Sequence, residues 1–210
     1  MMYRLISLLC LLSVTTGQIQ LPGPCDWTNI NYERNLNIDE LTGKWNEIER
    51  VANPYENGTC SSWTLTAVKE KNITVGMKIL VQHVDNRKLS SRNGNVTLNT
   101  STMKILATFT DGLQIEFVIM KTNYKDYAVI YSCSNQGQSG SVLAWKLSRA
   151  TTLSNATKTA FQEYDGLATG NWTAVSQTED ACKLNNNAIN THINPIILMV
   201  VCLVMGKNSF

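Results

Sequence analysis

Between Gly43 and Arg149 the chain is a succession of short runs rich in β-branched and aromatic residues. Turn residues separate them at hairpin-scale intervals, and no helical pattern intervenes. That rhythm constrains the fold more than any other feature. Parallel sheets need a long, usually helical, crossover between strands, so an antiparallel all-β architecture remains. Eight strands are predicted, over 44–51, 61–68, 73–84, 88–98, 103–110, 113–121, 127–134 and 141–147. The connections contain Asn57-Gly58, Asn93-Gly94 and Asp111-Gly112, the last a strong two-residue hairpin signal. After Arg149 the texture changes. Ala156, Ala160, Phe161, Tyr164 and Leu167 form a stripe with helical spacing, which predicts one amphipathic helix over 155–167. Residues 171–176 are a candidate ninth strand.

Eight antiparallel strands can build a sandwich or a closed barrel. In the third run Val75, Met77, Ile79 and Val81 give one wholly apolar face, while Gly76, Lys78, Leu80 and Gln82 give a mixed one. The same alternation groups Ile105, Ala107 and Phe109 on one strand and Trp145 with Leu147 on another. These faces read either as plain core or, since an eight-stranded up-and-down barrel has room for one small ligand, as the wall of a cavity.

The two ends read as addresses. Residues 1–17 combine Arg4, an apolar run from Leu5 to Val14 and small residues at Thr15 and Gly17, the pattern of a secretory signal peptide that leaves Gln18 as the new N-terminus. At the other end the small-residue cluster Asn185-Asn186-Asn187-Ala188 precedes a short spacer and an apolar run over 196–205. That is the pattern of a tail exchanged for a GPI anchor, with a retained apolar tail and a membrane span as alternatives. The expected layout is therefore signal 1–17, domain 18–187 and tail 188–210. Six N-x-S/T sequons, at Asn57, Asn72, Asn95, Asn99, Asn155 and Asn171, fit a glycosylated extracellular protein. The body keeps four cysteines, Cys25, Cys60, Cys133 and Cys182, which in an oxidising compartment suggest two disulfides with three pairings open.

Charge and histidine content exclude several functions. With Arg4 and Lys207 set aside in the terminal segments, sixteen basic residues face sixteen acidic ones, without a basic cluster. Nucleic-acid binding, dominated by phosphate neutralisation, is not expected. His83 is the only imidazole of the body, and no CxxC metal spacing occurs. Ser-His-Asp, Cys-His and multi-histidine zinc chemistry are largely excluded on that ground, and no metal site is expected.

Three separated segments carry a family pattern. Gly43-Lys44-Trp45 opens the first strand like the G-x-W block of lipocalins. Thr122-Asn123-Tyr124, ahead of the run from Asp126 to Cys133, resembles the family's T-D-Y block, with Asn123 standing where Asp is usual. The lone arginine of the third block is matched by Arg149, after Trp145-Lys146-Leu147-Ser148. The resemblance runs from about Cys25 to Cys182. Within the family it narrows to the apolipoprotein D, insect Lazarillo and bilin-binding group, through Asn57-Gly58-Thr59-Cys60 and the segment from Tyr127 to Cys133.

The resemblance implies an eight-stranded antiparallel up-and-down barrel with one C-terminal α-helix packed outside. It implies Cys25–Cys133 and Cys60–Cys182 disulfides and a structural barrel floor made by Gly43, Trp45 and Arg149, with the guanidinium over the indole. It implies cavity-facing positions at Leu65, Met77, Phe109, Trp145 and Leu147. It implies a secreted carrier or scavenger of a small hydrophobic ligand (lipid, retinoid, sterol or bilin), with no cofactor and no catalysis, since a thiol isomerase of this fold needs a free cavity cysteine. The alternative is a GPI-anchored surface glycoprotein in adhesion or signalling, with a cell-surface or lipoprotein partner. Glu47 and Glu49 share parity with Trp45, and are either polar cavity groups or outward-facing where the strand bends.

Overall fold

The computed structural model describes residues 19–167 and 171–185. The expected signal peptide and C-terminal tail therefore lie outside the described residues. One antiparallel sheet contains β1 (Ile19–Leu21), β2 (Gly43–Val51), β3 (Thr59–Glu70), β4 (Ile73–Asp85), β5 (Lys88–Asn99), β6 (Lys104–Phe109), β7 (Gln114–Thr122), β8 (Tyr127–Gln136), β9 (Ser139–Ser148) and β10 (Trp172–Ala174). Strands β2 to β9 pair in chain order, and β9 returns to pair with β2, closing the barrel. Closure removes free edges, the usual liability of a large antiparallel sheet. The seam is dressed by β1, paired with the start of β9, and by β10, paired with the end of β2.

Up-and-down order puts alternate turns at opposite ends. The connections at 52–58, 86–87, 110–113 and 137–138 form one rim, and those at 71–72, 100–103 and 123–126 the other. Two of the hairpins turn on residues without glycine: Lys71 (φ 48°) with Asn72 (φ 67°), and Asn86 (φ 49°) with Arg87 (φ 60°). Paired positive φ angles are the signature of the type I′ turn, whose twist suits antiparallel strands. Asn93-Gly94, expected in a connection, instead lies within β5. Gly94 is needed there because a Cβ would stand 2.6 Å from the Thr108 carbonyl oxygen of the neighbouring strand.

Two apolar clusters result. One fills the barrel, with Trp45, Trp63, Met77, Phe109, Trp145 and Leu147 among its members. The other lies on the outer surface, where Val118, Tyr131, Val142 and Ala144 are covered by the N-terminal arm through Tyr32, Trp27 and Ile19. Val75, expected with the inward face of its strand, is exposed, since β4 there projects near the 71–72 turn. The disulfides Cys25–Cys133 and Cys60–Cys182 tie the arm and the C-terminal segment to the barrel wall. They close 108- and 122-residue separations, which makes each worth about 2–4 kcal/mol.

Helix α1 (Asn155–Gln162) is shorter than the expected 155–167. Ser154 caps it by accepting from Thr157 N–H. Beyond Gln162 the chain tightens into three-residue turns, with Tyr164 N–H bonded to Phe161 O and Asp165 N–H to Gln162 O. This bend brings Asp165 to Lys146, whose Nζ lies 2.6 Å from Asp165 Oδ1 and 2.7 Å from Glu49 Oε2. Phe161, packed edge-on against Tyr127, docks the helix on the outer face of the barrel.

Candidate functional site: the barrel interior

The floor is built around Trp45. Its Nε1 donates to Leu41 O at 2.8 Å, and the Arg149 guanidinium sits 3.6 Å from the ring centroid. The same guanidinium donates to the carbonyls of Tyr124, Lys44 and Glu40 at 3.1, 3.0 and 2.9 Å. Gly43, at φ +98°, leaves the room this requires, since a Cβ there would be 3.1 Å from Arg149 Nη1.

Above the floor the five expected cavity positions do not share one cavity. Leu65, Met77 and Leu147 line a wholly apolar void of about 20 Å³ resting on Trp45. Phe109 and Trp145 line a second, of about 10 Å³, nearer the open rim. Trp63 and Phe117 line both voids, with ring centroids 6.0 Å apart, and fill the space between. Each void is about the size of one water molecule. The reason for the division is bulk: Trp63 faces Trp145 edge-on at 5.2 Å, so two indoles occupy one level of the barrel. At the open rim a larger pocket of about 240 Å³ is lined by Tyr55, Glu56, His83, Asp85, Arg92 and Asp111, among others. Tyr55, Glu56 and Arg92 also line the upper void and so partition it from the mouth.

A polar cluster interrupts the apolar interior, and sequence patterning gave only part of it. A bulge between Glu47 and Glu49 resets the parity of β2. Glu47 consequently stays inside with 0% exposure, whereas Glu49 turns outward to Lys146. After the bulge Arg50 faces inward and donates to Glu47 Oε1 at 2.7 Å and to Gly58 O at 3.0 Å. Glu47 Oε2 has no hydrogen-bond donor. The Ser61 hydroxyl is near enough to favour its charged form, yet makes no well-formed hydrogen bond. Glu56 comes from the 52–58 connection, which folds inward because the Asn53 side chain accepts from the backbone N–H groups of Tyr55 and Glu56. Its carboxylate accepts from Trp145 Nε1 at 2.7 Å.

Burial, reinforced by repulsion between the two carboxylates, pushes Glu47 up to about 8 against the pull of Arg50. Glu56 is also raised, by burial above all. Burial and then the Arg50 charge lower His83. Among the described residues no group of three His, Cys, Asp or Glu side chains is placed to hold a metal ion. All six sequon asparagines, Asn57, Asn72, Asn95, Asn99, Asn155 and Asn171, are exposed.

A closed eight-stranded up-and-down barrel with an arginine-over-tryptophan floor and an apolar interior is the architecture of barrels wide enough to enclose one small ligand. Residues 42–164 match the lipocalin / cytosolic fatty-acid binding protein family, and the chain belongs to that family, whose members bind small hydrophobic molecules. Apolipoprotein D of Rattus norvegicus is 24% identical over 134 residues, covering 64% of this chain and 70% of the rat protein. Apolipoprotein D of Oryctolagus cuniculus is 26% identical over 128 residues, covering 59% of this chain and 65% of the rabbit protein. Among solved structures, insecticyanin from the tobacco hornworm Manduca sexta superimposes with a TM-score of 0.70 at 21% identity, over 80% of this chain and 94% of that one. Lobster apocrustacyanin A1 superimposes with a TM-score of 0.64 at 19% identity, over 77% and 93%. At these identities the superpositions speak for the fold.

Proposed function

We propose that the protein is an extracellular carrier or scavenger that holds a small hydrophobic ligand, of the lipid, retinoid, sterol or bilin kind, inside the barrel. The observation that carries this reading is the predominantly apolar lining of the two voids beneath the mouth pocket, by Phe109 and Trp145 in the upper, Met77 and Leu65 in the lower, and Trp63 in both. Pockets of such composition bind by burial, with a few polar groups setting orientation. A ligand gains its volume by repacking those side chains, and Met77, unbranched and deformable, is the wall best suited to yield. Family membership supports binding rather than catalysis. Two disulfides and six exposed sequons support an extracellular site of action.

Extraction and mass spectrometry of the protein purified from its native source tests the reading. A stoichiometric hydrophobic small molecule is the expected result. Recovery of none, together with failure of the stripped protein to bind retinoids or fatty acids, would overturn it. Display at the cell surface through a GPI anchor is the finer part of the proposal, supported by the residue pattern over 185–205. Release of the protein from intact cells by phosphatidylinositol-specific phospholipase C is its test.

A further inference from the structure

One buried carboxyl in the upper barrel lacks a direct counter-charge. Arg50 pairs with Glu47 and Arg92 with Asp111, and Asp85 stands opposite Lys88 across the 86–87 turn. His83, between Arg50, Arg92 and Asp85, is held toward its neutral form. Both guanidinium groups are already engaged: Arg50 with Glu47 and Gly58 O, Arg92 with Asp111 at 2.7 Å and Tyr55 O at 3.3 Å. Among the described residues Glu56 makes no ion pair: its close donors are the neutral Trp145 indole and Asn53 amide, and Arg50 and Arg92, each bonded to another carboxylate, attract it only from farther off. Beside it Glu47 Oε2, fully buried, is an acceptor without a donor. Glu56 also occupies the partition between the 240 Å³ mouth pocket and the void walled by Trp63, Trp145 and Phe109.

We infer that the barrel selects ligands carrying a protonated amine on a hydrophobic body, with Glu56 receiving the ammonium group at the partition beside Trp145. The inference deepens the carrier reading and rests on it. An ammonium supplies the direct counter-charge that Glu56 lacks and a donor for Glu47 Oε2, the free oxygen of the Arg50–Glu47 pair. A carboxylate ligand opposes ionisation of Glu56 at the same spot, and a neutral one leaves Glu56 in the uncharged form that burial favours. A body longer than the mouth pocket reaches the apolar interior when the 52–58 segment, held by the Glu56–Trp145 and Arg92–Tyr55 bonds, lifts.

Octylamine, octan-1-ol and octanoate share a chain length and differ in head group. Titrated into the full chain at neutral pH and followed by tryptophan fluorescence, octylamine should bind at least tenfold tighter than octanoate, with the alcohol between. Glu56→Gln keeps an acceptor for Trp145 and should bring octylamine to the affinity that octan-1-ol has for the same variant. From pH 6 to pH 8.5 octylamine binding should tighten as the buried carboxylates ionise, since an alkylammonium stays charged below ~10; octan-1-ol should not respond. This profile, read on the unaltered protein, decides the matter if Glu56→Gln fails to fold. Octanoate binding as tightly as octylamine, or an amine preference that survives Glu56→Gln, overturns the inference and leaves the carrier reading standing. Absence of binding by all three compounds overturns both.

Discussion

Arg149→Ala is the sharpest test of the floor. The substitution removes three donations to backbone carbonyls and the charge over Trp45. The carbonyls of Lys44 and Glu40 lie in exposed contacts and accept water in the variant, so each loss costs about 0.5 kcal/mol; the Tyr124 carbonyl is half-buried and costs about 1 kcal/mol. The cation–π contact at 3.6 Å, partly screened by solvent, adds about 1 kcal/mol. The expected destabilisation is therefore about 3 kcal/mol. With a urea m-value of about 2 kcal/mol/M the midpoint falls by about 1.5 M, measured with both disulfides intact. Arg149→Lys keeps the charge but cannot fork across three carbonyls, and should lose about half as much. Ligand affinity, measured on the folded fraction, should not change. A loss below about 0.5 kcal/mol would refute the clamp, and a tenfold affinity loss at unchanged stability would make Arg149 a binding residue.

Further outcomes follow from other parts of the molecule. Glu47, raised to about 8 from an ordinary 4.5, keeps in the fold a proton that the unfolded chain releases, so its effect is to lower stability as pH rises from about 4.5 to about 8. Glu47→Gln, whose oxygen still accepts from Arg50, should therefore gain on the wild type across that window; urea midpoints at pH 5 and pH 8 that shift in parallel would contradict this. Gly94→Ala forces a backbone shift away from Thr108 O and should cost about 2–4 kcal/mol, visible as a fall in melting temperature. Lys146→Met strips Glu49 and Asp165 of their shared partner while filling the same space. Both acids reach solvent, so the global cost should be only about 1–2 kcal/mol, with faster amide exchange in α1 as its local sign.

Where the sequence was readable, a period was the reason. Two-residue alternation identified the barrel strands and put Met77, Ile79, Trp145 and Leu147 on one face, because one-sided burial writes itself into every second residue. Single-residue events broke the reading. The bulge beside Ile48 separates Glu47 from Glu49, and nothing local announces it. Lys146 occupies an outward position on β9 and is nevertheless 0% exposed, because α1 and Trp172 arrive from elsewhere in the chain to cover it. Strand β1 is three residues long, too short to carry a pattern, and exists through its pairing with Gly140 to Val142. Asn93-Gly94 has the composition of a turn but serves close strand packing, while the hairpins at Lys71-Asn72 and Asn86-Arg87 lack the glycine that would have marked them. Glu56 was missed as an interior group because a glutamate in a connecting loop reads as solvated; the Asn53 side chain, by folding the loop on itself, turns it inward.

The described fold finishes at the mouth. Asn185 N–H is bonded to Arg87 O in the 86–87 turn, on that rim. Strand β1, by contrast, runs toward the rim, with Leu21 opposite Gly140 and Ile19 farther down the wall, opposite Val142. A reporter or affinity handle joined directly at Asn185 is thereby held next to the opening, where it crowds traffic into the interior and perturbs any binding measured. The Lys71-Asn72 turn, on the opposite rim, is the position at which an inserted handle leaves the opening clear and lets the barrel be immobilised mouth outward.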